Sequence, residues 1–309
     1  MSQATAAVEF GRSLAGSAAR RRRERIVRAV FLGSALFTVV ISFFIVETVI
    51  VEAISFLQKI ELSQLLGIGW FPRRGIFDVP TLLLGTLIVT GIAMLIAAPV
   101  GLASAIYLSE YATPRVRRTI KPVLEILAGI PSVVLGFFAL TVINPAIIQS
   151  IFTDASGYNL AAAGIAVGIL SIPLVASISE DAMKAVPASL REASYGLGAR
   201  RLTTSVRVVF PAAISGIVAA MILATSRAIG ETMVVALAAG APQARTINPL
   251  DAGGTMTSAM VNLATGSDQV VGDNAAFQSL FFVGLLLFVV TLALNLLADA
   301  FVRRMRQRY

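Results

Sequence analysis

Two side chains of this sequence carry charge where charge is most costly. Arg227 and Glu231 lie inside the apolar stretch 212–240, Arg227 near its midpoint. At the centre of a membrane span each such charge costs about 2.5–3.5 kcal/mol on insertion scales and by default faces a bundle interior or an aqueous cavity. Their i,i+4 spacing puts both on one face of a helix. Two chemistries fit that pattern. One is an intrahelical ion pair that locks packing. The other is an anion site, where a guanidinium fork grips an oxyanion while the carboxylate accepts a hydrogen bond from a protonated one and repels a fully ionised one. Ser226 and Thr232 add hydroxyls, and Gly230 permits close approach or a local break.

A second interruption points to a polar path. Ala128-Gly129-Ile130-Pro131-Ser132 falls within the apolar stretch 122–152. Pro131 removes one helical hydrogen bond, and with Gly129 it predicts a helix break whose freed carbonyls need protein or water, beside the Ser132 hydroxyl. A kink that serves packing alone fits the same residues. Asn144-Pro145 and Ile172-Pro173 are weaker versions of the signal.

The elements that must position these residues are written in the composition. The chain has 309 residues, 57% of them hydrophobic and 14% charged, against about 25% charged in soluble domains. Mean hydropathy is +0.84. The pattern predicts an all-α integral membrane protein with six transmembrane helices, drawn at 26–46, 79–109, 122–152, 159–179, 212–240 and 275–298. Twenty of the 25 Lys and Arg fall on one side of that drawing, only Lys59, Arg73, Arg74 and Arg245 on the other, and Arg227 within it. The positive-inside rule makes the basic side, with both termini, cytoplasmic. Topology therefore accounts for the net charge of +8 without nucleic acid.

The absences exclude other chemistry. With no His and no Cys there is no imidazole base, thiolate, disulfide or usual metal cage, so no catalytic residue and no metal site is assigned. No P-loop is present, so any ATP hydrolysis belongs to a partner. The organisation predicted is a basic arm at 1–25, a first span with its outer segment at 26–78, a five-span core at 79–302 and a basic tail at 303–309. Trp70, Phe71 and Pro72 read as an interfacial anchor or a short re-entrant turn.

The loop 180–211 is too ordered for a spacer. Good helix formers follow Pro187, and Leu190, Ala193 and Leu197 recur at helical spacing, predicting a short amphipathic helix that ends near Gly198. Such a helix either packs its apolar face on the bundle or offers it to a partner. Glu192-Ala193-Ser194, three residues, Gly198, nine residues, then Val208-x-Phe210-Pro211 resembles the EAA loop of ABC importer permeases. The resemblance implies the type I importer fold and a coupling helix that docks in a cleft of an ATPase subunit, with Glu192, Ala193, Ser194, Gly198 and Pro211 as its motif positions.

Segments 124–134, 226–233 and 280–295 resemble more narrowly the PstC family of phosphate permeases. That resemblance implies a bacterial plasma-membrane importer of phosphate. Its other parts would be a second permease, PstA, two ATPase subunits, PstB, which use ATP and magnesium, and the phosphate-binding protein PstS, all beside membrane lipid. It maps phosphate passage onto Arg227 and Glu231, to which the reading of the residues adds Ser226, Thr232 and Ser132 as the substrate path. The paired permease PstA, or a sulfate- or molybdate-type permease, is the alternative reading.

Overall fold

The structure is a computed structural model that describes residues 18–241, 245–265 and 275–305. Part of the basic arm, the end of the basic tail and much of the outer segment before the last span lie outside the described residues. The chain divides into two compact units, Met1–Val51 and Glu52–Tyr309.

In the first unit the described residues belong to helix α1, Ala18–Lys59. From residue 26 to residue 48 its side chains are exposed and mostly apolar, as on a lipid-facing helix. The hydroxyls of Ser34, Thr38 and Thr48 donate to the carbonyls of Val30, Ser34 and Phe44 at 3.0, 3.0 and 2.8 Å, so none meets lipid unpaired.

The second unit is built on α2, Val79–Tyr111, and α5, Leu160–Lys184. Small residues let these two backbones approach closely. A side chain at Gly101 would press on Val175 at 2.7 Å, one at Gly164 on Ile92 at 2.7 Å, and one at Gly168 on the Ala93 carbonyl at 3.0 Å. Around the pair lie α3, Pro114–Ala128, α4, Ser132–Ile151, α6, Ala188–Gly196, α7, Arg201–Ala212, and α8, Ile214–Ile229. Short α9, Met233–Ala238, then α10, Met256–Thr265, and α11, Ala275–Met305, complete it. Five helices are long and apolar enough to cross a membrane, and a sixth crossing follows if α7 and α8, bent by 71°, count as one.

Two of the expected spans are cut differently. The stretch 122–152 is not one kinked helix. Its first part belongs to α3, which begins earlier, at a Thr113 cap, and carries Arg115, Arg117, Arg118, Lys121 and Glu125 on an amphipathic helix. Those charges disqualify it as a crossing, so only α4 spans. The Gly129–Pro131 break thus lies at a boundary between helices, and Pro131 takes the extended conformation that starts α4. Pro145 is absorbed by a π-helical stretch, Ala139–Ile148, whose wider turn accommodates the ring. Pro173 leaves α5 continuous. The stretch 212–240 likewise ends as a helix at Ile229 and restarts at Met233.

Residues 62–78 form a small cap. Strands β1, Trp70–Phe71, and β2, Ile76–Phe77, pair antiparallel with Trp70 opposite Phe77, around a turn that Gly75 closes at φ 69°. Trp70 does not face outward as an expected interfacial anchor would. It is 2% exposed and packs edge-on against Phe77, which packs on Phe56 in turn. A hairpin turns this ring inward because its partners are apolar on that side.

Asp78 ties the cap down. Its carboxylate is buried and accepts from the Gly69 amide at 2.8 Å, the Thr81 hydroxyl at 2.5 Å and Arg245 at 2.6 Å. Burial alone would push its pKa up, but the hydrogen bonds of Arg245, Thr81 and Gly69 and the Arg245 charge outweigh it and hold the group below the usual carboxylate range. A depressed folded pKa gives stability that is complete above the unfolded value, about 3.9, and is lost as pH falls through the folded one. Fluorescence of Trp70, the chain's single tryptophan, is therefore expected to hold steady from pH 7 to 5 and to shift red only below about pH 4. A shift already complete at pH 5 would contradict the linkage.

Candidate functional site

Arg227 sits on the last turn of α8, exposed, and among the described residues it makes no hydrogen bond or ion pair. It lines a cavity of about 160 Å³ together with Lys121 and Glu125 of α3 and Pro173, Ser177 and Glu180 of α5. Glu231 is not on its helical face. The helix has ended at Gly230, so the i,i+4 relation no longer applies, and among the described residues the intrahelical ion pair that spacing permits is not formed. The Glu231 carboxylate instead accepts from the Thr232 amide at 3.1 Å, while its backbone carbonyl accepts from the Thr257 hydroxyl of α10 at 2.6 Å.

The remaining path candidates are distributed around this break. Ser226 donates to Asn295 of α11 at 2.9 Å, a contact between helices. Thr232 donates to the Gly230 carbonyl at 3.1 Å, and both residues line a second cavity, of about 270 Å³, with Thr257, Met260 and Leu280. Ser132 is the first residue of α4. The two helix breaks are related by packing: Gly136 of α4 lies where a side chain would press on Val234 and Leu237 of α9 at 3.0 Å. Helices that restart after each break thus pack on one another. The backbone at Gly129 is satisfied locally, its amide donating to the Glu125 and Ile126 carbonyls at 3.1 and 3.0 Å.

In the loop 180–211, α6 ends as the sequence predicts. Gly198 follows with φ +79°, a left-handed conformation that favours glycine. Of the three apolar residues expected on one face, Leu190 packs against the core, whereas Ala193 and Leu197 are exposed, Leu197 at 90%. Glu192 and Tyr195 are exposed with them, and Pro211 is exposed on α7. Ser194 turns the other way, buried, its hydroxyl 2.9 Å from that of Thr204 on α7. The loop therefore presents Glu192, Ala193, Tyr195 and Leu197 outward from a helix held by Leu190 and Ser194.

Sequence reasoning missed the charges beneath this helix. Arg191 donates to the Met183 and Val186 carbonyls at 2.8 and 2.7 Å and pairs with Glu110, at the end of α2, at 3.0 Å. Glu180, fully buried, is paired with Lys184, with Arg117 at 3.1 Å and with Lys121 at 3.9 Å. Lys184 alone is a helical neighbour that spacing could reveal. Glu110 and Arg191 are 81 positions apart, and nothing in one sequence joins them.

Residues 97–307 match the family described as the binding-protein-dependent transport system inner membrane component. The probable ABC transporter permease protein YqgH of Bacillus subtilis is 36% identical, over 76% of this chain and 76% of its own. The phosphate transport system permease protein PstC of Mesorhizobium japonicum is 33% identical, over 82% of this chain and 81% of its own. PstA 1 of Mycobacterium tuberculosis (strain CDC 1551) is 34% identical, over 74% and 72%. Among solved structures, a bacterial alginate ABC transporter chain has the same fold, with a TM-score of 0.64, 16% identity, and coverage of 92% of this chain and 98% of that one.

Proposed function

Since the chain belongs to the binding-protein-dependent transport system inner membrane component family, it is a multi-pass permease subunit, and we propose that its cargo is inorganic phosphate. It would be the PstC-type subunit of a bacterial plasma-membrane importer, its termini cytoplasmic, paired with a PstA-type permease over two PstB-type ATPases and supplied by a PstS-type binding protein. PstC relatives match 75–92% of the chain and PstA 1 matches 74%, which leans to the PstC-type subunit.

The observation that carries the reading is Arg227, a cation without an ionic partner among the described residues, on a cavity beside a helix break. A guanidinium at the end of an apolar membrane helix, facing a cavity without a partner, is costly unless something anionic visits it. Phosphate is tetrahedral, suits the fork, and near neutral pH can donate a hydrogen bond to a carboxylate such as Glu231, which sulfate cannot. The exposed face of α6 would dock in the ATPase, and nucleotide-driven closure would rock the bundle around a weak internal site.

The test is uptake of labelled phosphate into vesicles holding the full complex. Uptake is expected to require ATP inside the cytoplasmic compartment, to be abolished by excess unlabelled phosphate and to be unaffected by excess sulfate or molybdate. Equal competition by sulfate would replace the phosphate reading with a general tetrahedral-anion permease.

A further inference from the structure

We propose that Arg191 is a positioning residue for energy coupling, the link that makes α6 move with α2 and α5. It rests on the importer reading above but not on the identity of the cargo. Arg191 directly precedes the motif residues Glu192, Ala193 and Ser194, yet it points inward, 21% exposed, while Glu192 and Ala193 face out.

One guanidinium engages two elements at once. Its bonds to the Met183 and Val186 carbonyls, at 2.8 and 2.7 Å, cap the end of α5 and the turn after it. Its pair with Glu110, a carboxylate 4% exposed, reaches the end of α2 at 3.0 Å. The α2 and α5 backbones are keyed along their length by Gly101, Gly164 and Gly168, so a push on α6 enters a single packed pair at its base. The other exit from α6 is softer. It runs through Gly198 and α7 into a 71° corner before reaching α8 and Arg227. Without Arg191, α6 would keep the packing of Leu190 and the Ser194–Thr204 contact, and less of its movement would reach α2 and α5. Lys at this position supplies a charge but not the planar fork needed to hold Glu110 and both carbonyls together.

The experiment measures substrate taken up per ATP hydrolysed by the reconstituted complex, for the parent, Arg191→Gln, Arg191→Lys and Glu110→Met. Glu110→Met is the deciding variant, because it leaves the bonds from Arg191 to α5 in place and, apart from the local bond from the neighbouring Ser109 hydroxyl, removes only the tie to α2. The expected result is an assembled complex that still hydrolyses ATP, with the ratio lowered about ten-fold in Glu110→Met and Arg191→Gln, and less in Arg191→Lys. A parent-level ratio in Glu110→Met, with or without a lower melting temperature, would overturn the proposal, as would failure of both Glu110→Met and Arg191→Gln to assemble, which assigns the pair to folding alone. A parent complex that hydrolyses ATP but moves no substrate fails the importer reading instead, so the two failures are distinguishable.

Discussion

Arg227→Gln is expected to abolish ATP-driven phosphate uptake while the complex assembles and continues to hydrolyse ATP. Gln keeps most of the volume and some hydrogen bonding but removes the charge. A charge-assisted hydrogen bond contributes about 1.5–3 kcal/mol, so losing such contacts from the proposed path predicts a fall in uptake of about a hundred-fold. The variant has no structural reason to misfold, because Arg227 has no ion-pair or hydrogen-bond partner among the described residues and lies exposed at a helix end. Uptake measured beside ATP hydrolysis separates the outcomes. Unchanged uptake would return Arg227 to a packing role and leave the fold and the coupling loop as described.

The second large effect is structural. Gly85→Ala is expected to destabilise the purified protein by about 2–4 kcal/mol, an overpacking cost of about 1–3 plus a lost buried hydrogen bond. A methyl group at Gly85 would fall on the Gly254 carbonyl oxygen, well inside contact distance, and that obstacle is backbone rather than a side chain that can turn away. The segment pressed aside leads into α10, and its next anchor is the Met256 amide, which donates to the buried Thr86 hydroxyl at 3.0 Å. Thr257 follows, the residue that holds the Glu231 carbonyl. The lesion should therefore lower uptake as well as the melting temperature. Gly91→Ala is the matched control: nothing lies within 4 Å of its added methyl, and helix propensity favours Ala by about 1 kcal/mol. Equal melting temperatures for the two variants would refute the packing argument.

Four spans, the family's loop helix and its Gly198 terminus were legible in the sequence because each has a local signal: an uncharged run, a helical period, a glycine where the chain must turn left. What was not legible depends on partners far along the chain. Charges at Arg115, Arg117, Arg118 and Lys121 already mark α3 as a poor span, yet counting apolar residues beyond Pro122 merged it with α4. An i,i+4 spacing placed Glu231 beside Arg227, but that rule holds only while the helix continues, and Gly230 ends it. Trp70 looked like an anchor because aromatic residues favour membrane interfaces. Phe56 and Phe77, which claim it for the interior, become its neighbours only once the hairpin has formed.

The end of α8 at Gly230 bears on discrimination between anions. Arg227 belongs to α8, whereas the Glu231 backbone is held by Thr257 of α10. The two poles of the proposed site thus lie on either side of a helix end, Glu231 tied back to α8 by its amide, which donates to the Ala228 carbonyl at 3.3 Å, and forward to α10 through Thr257. A fixed ion pair would have a single width. On the proposed reading the charges would act as a caliper whose setting follows the state of the bundle, gripping an anion in one state and letting it go in the next.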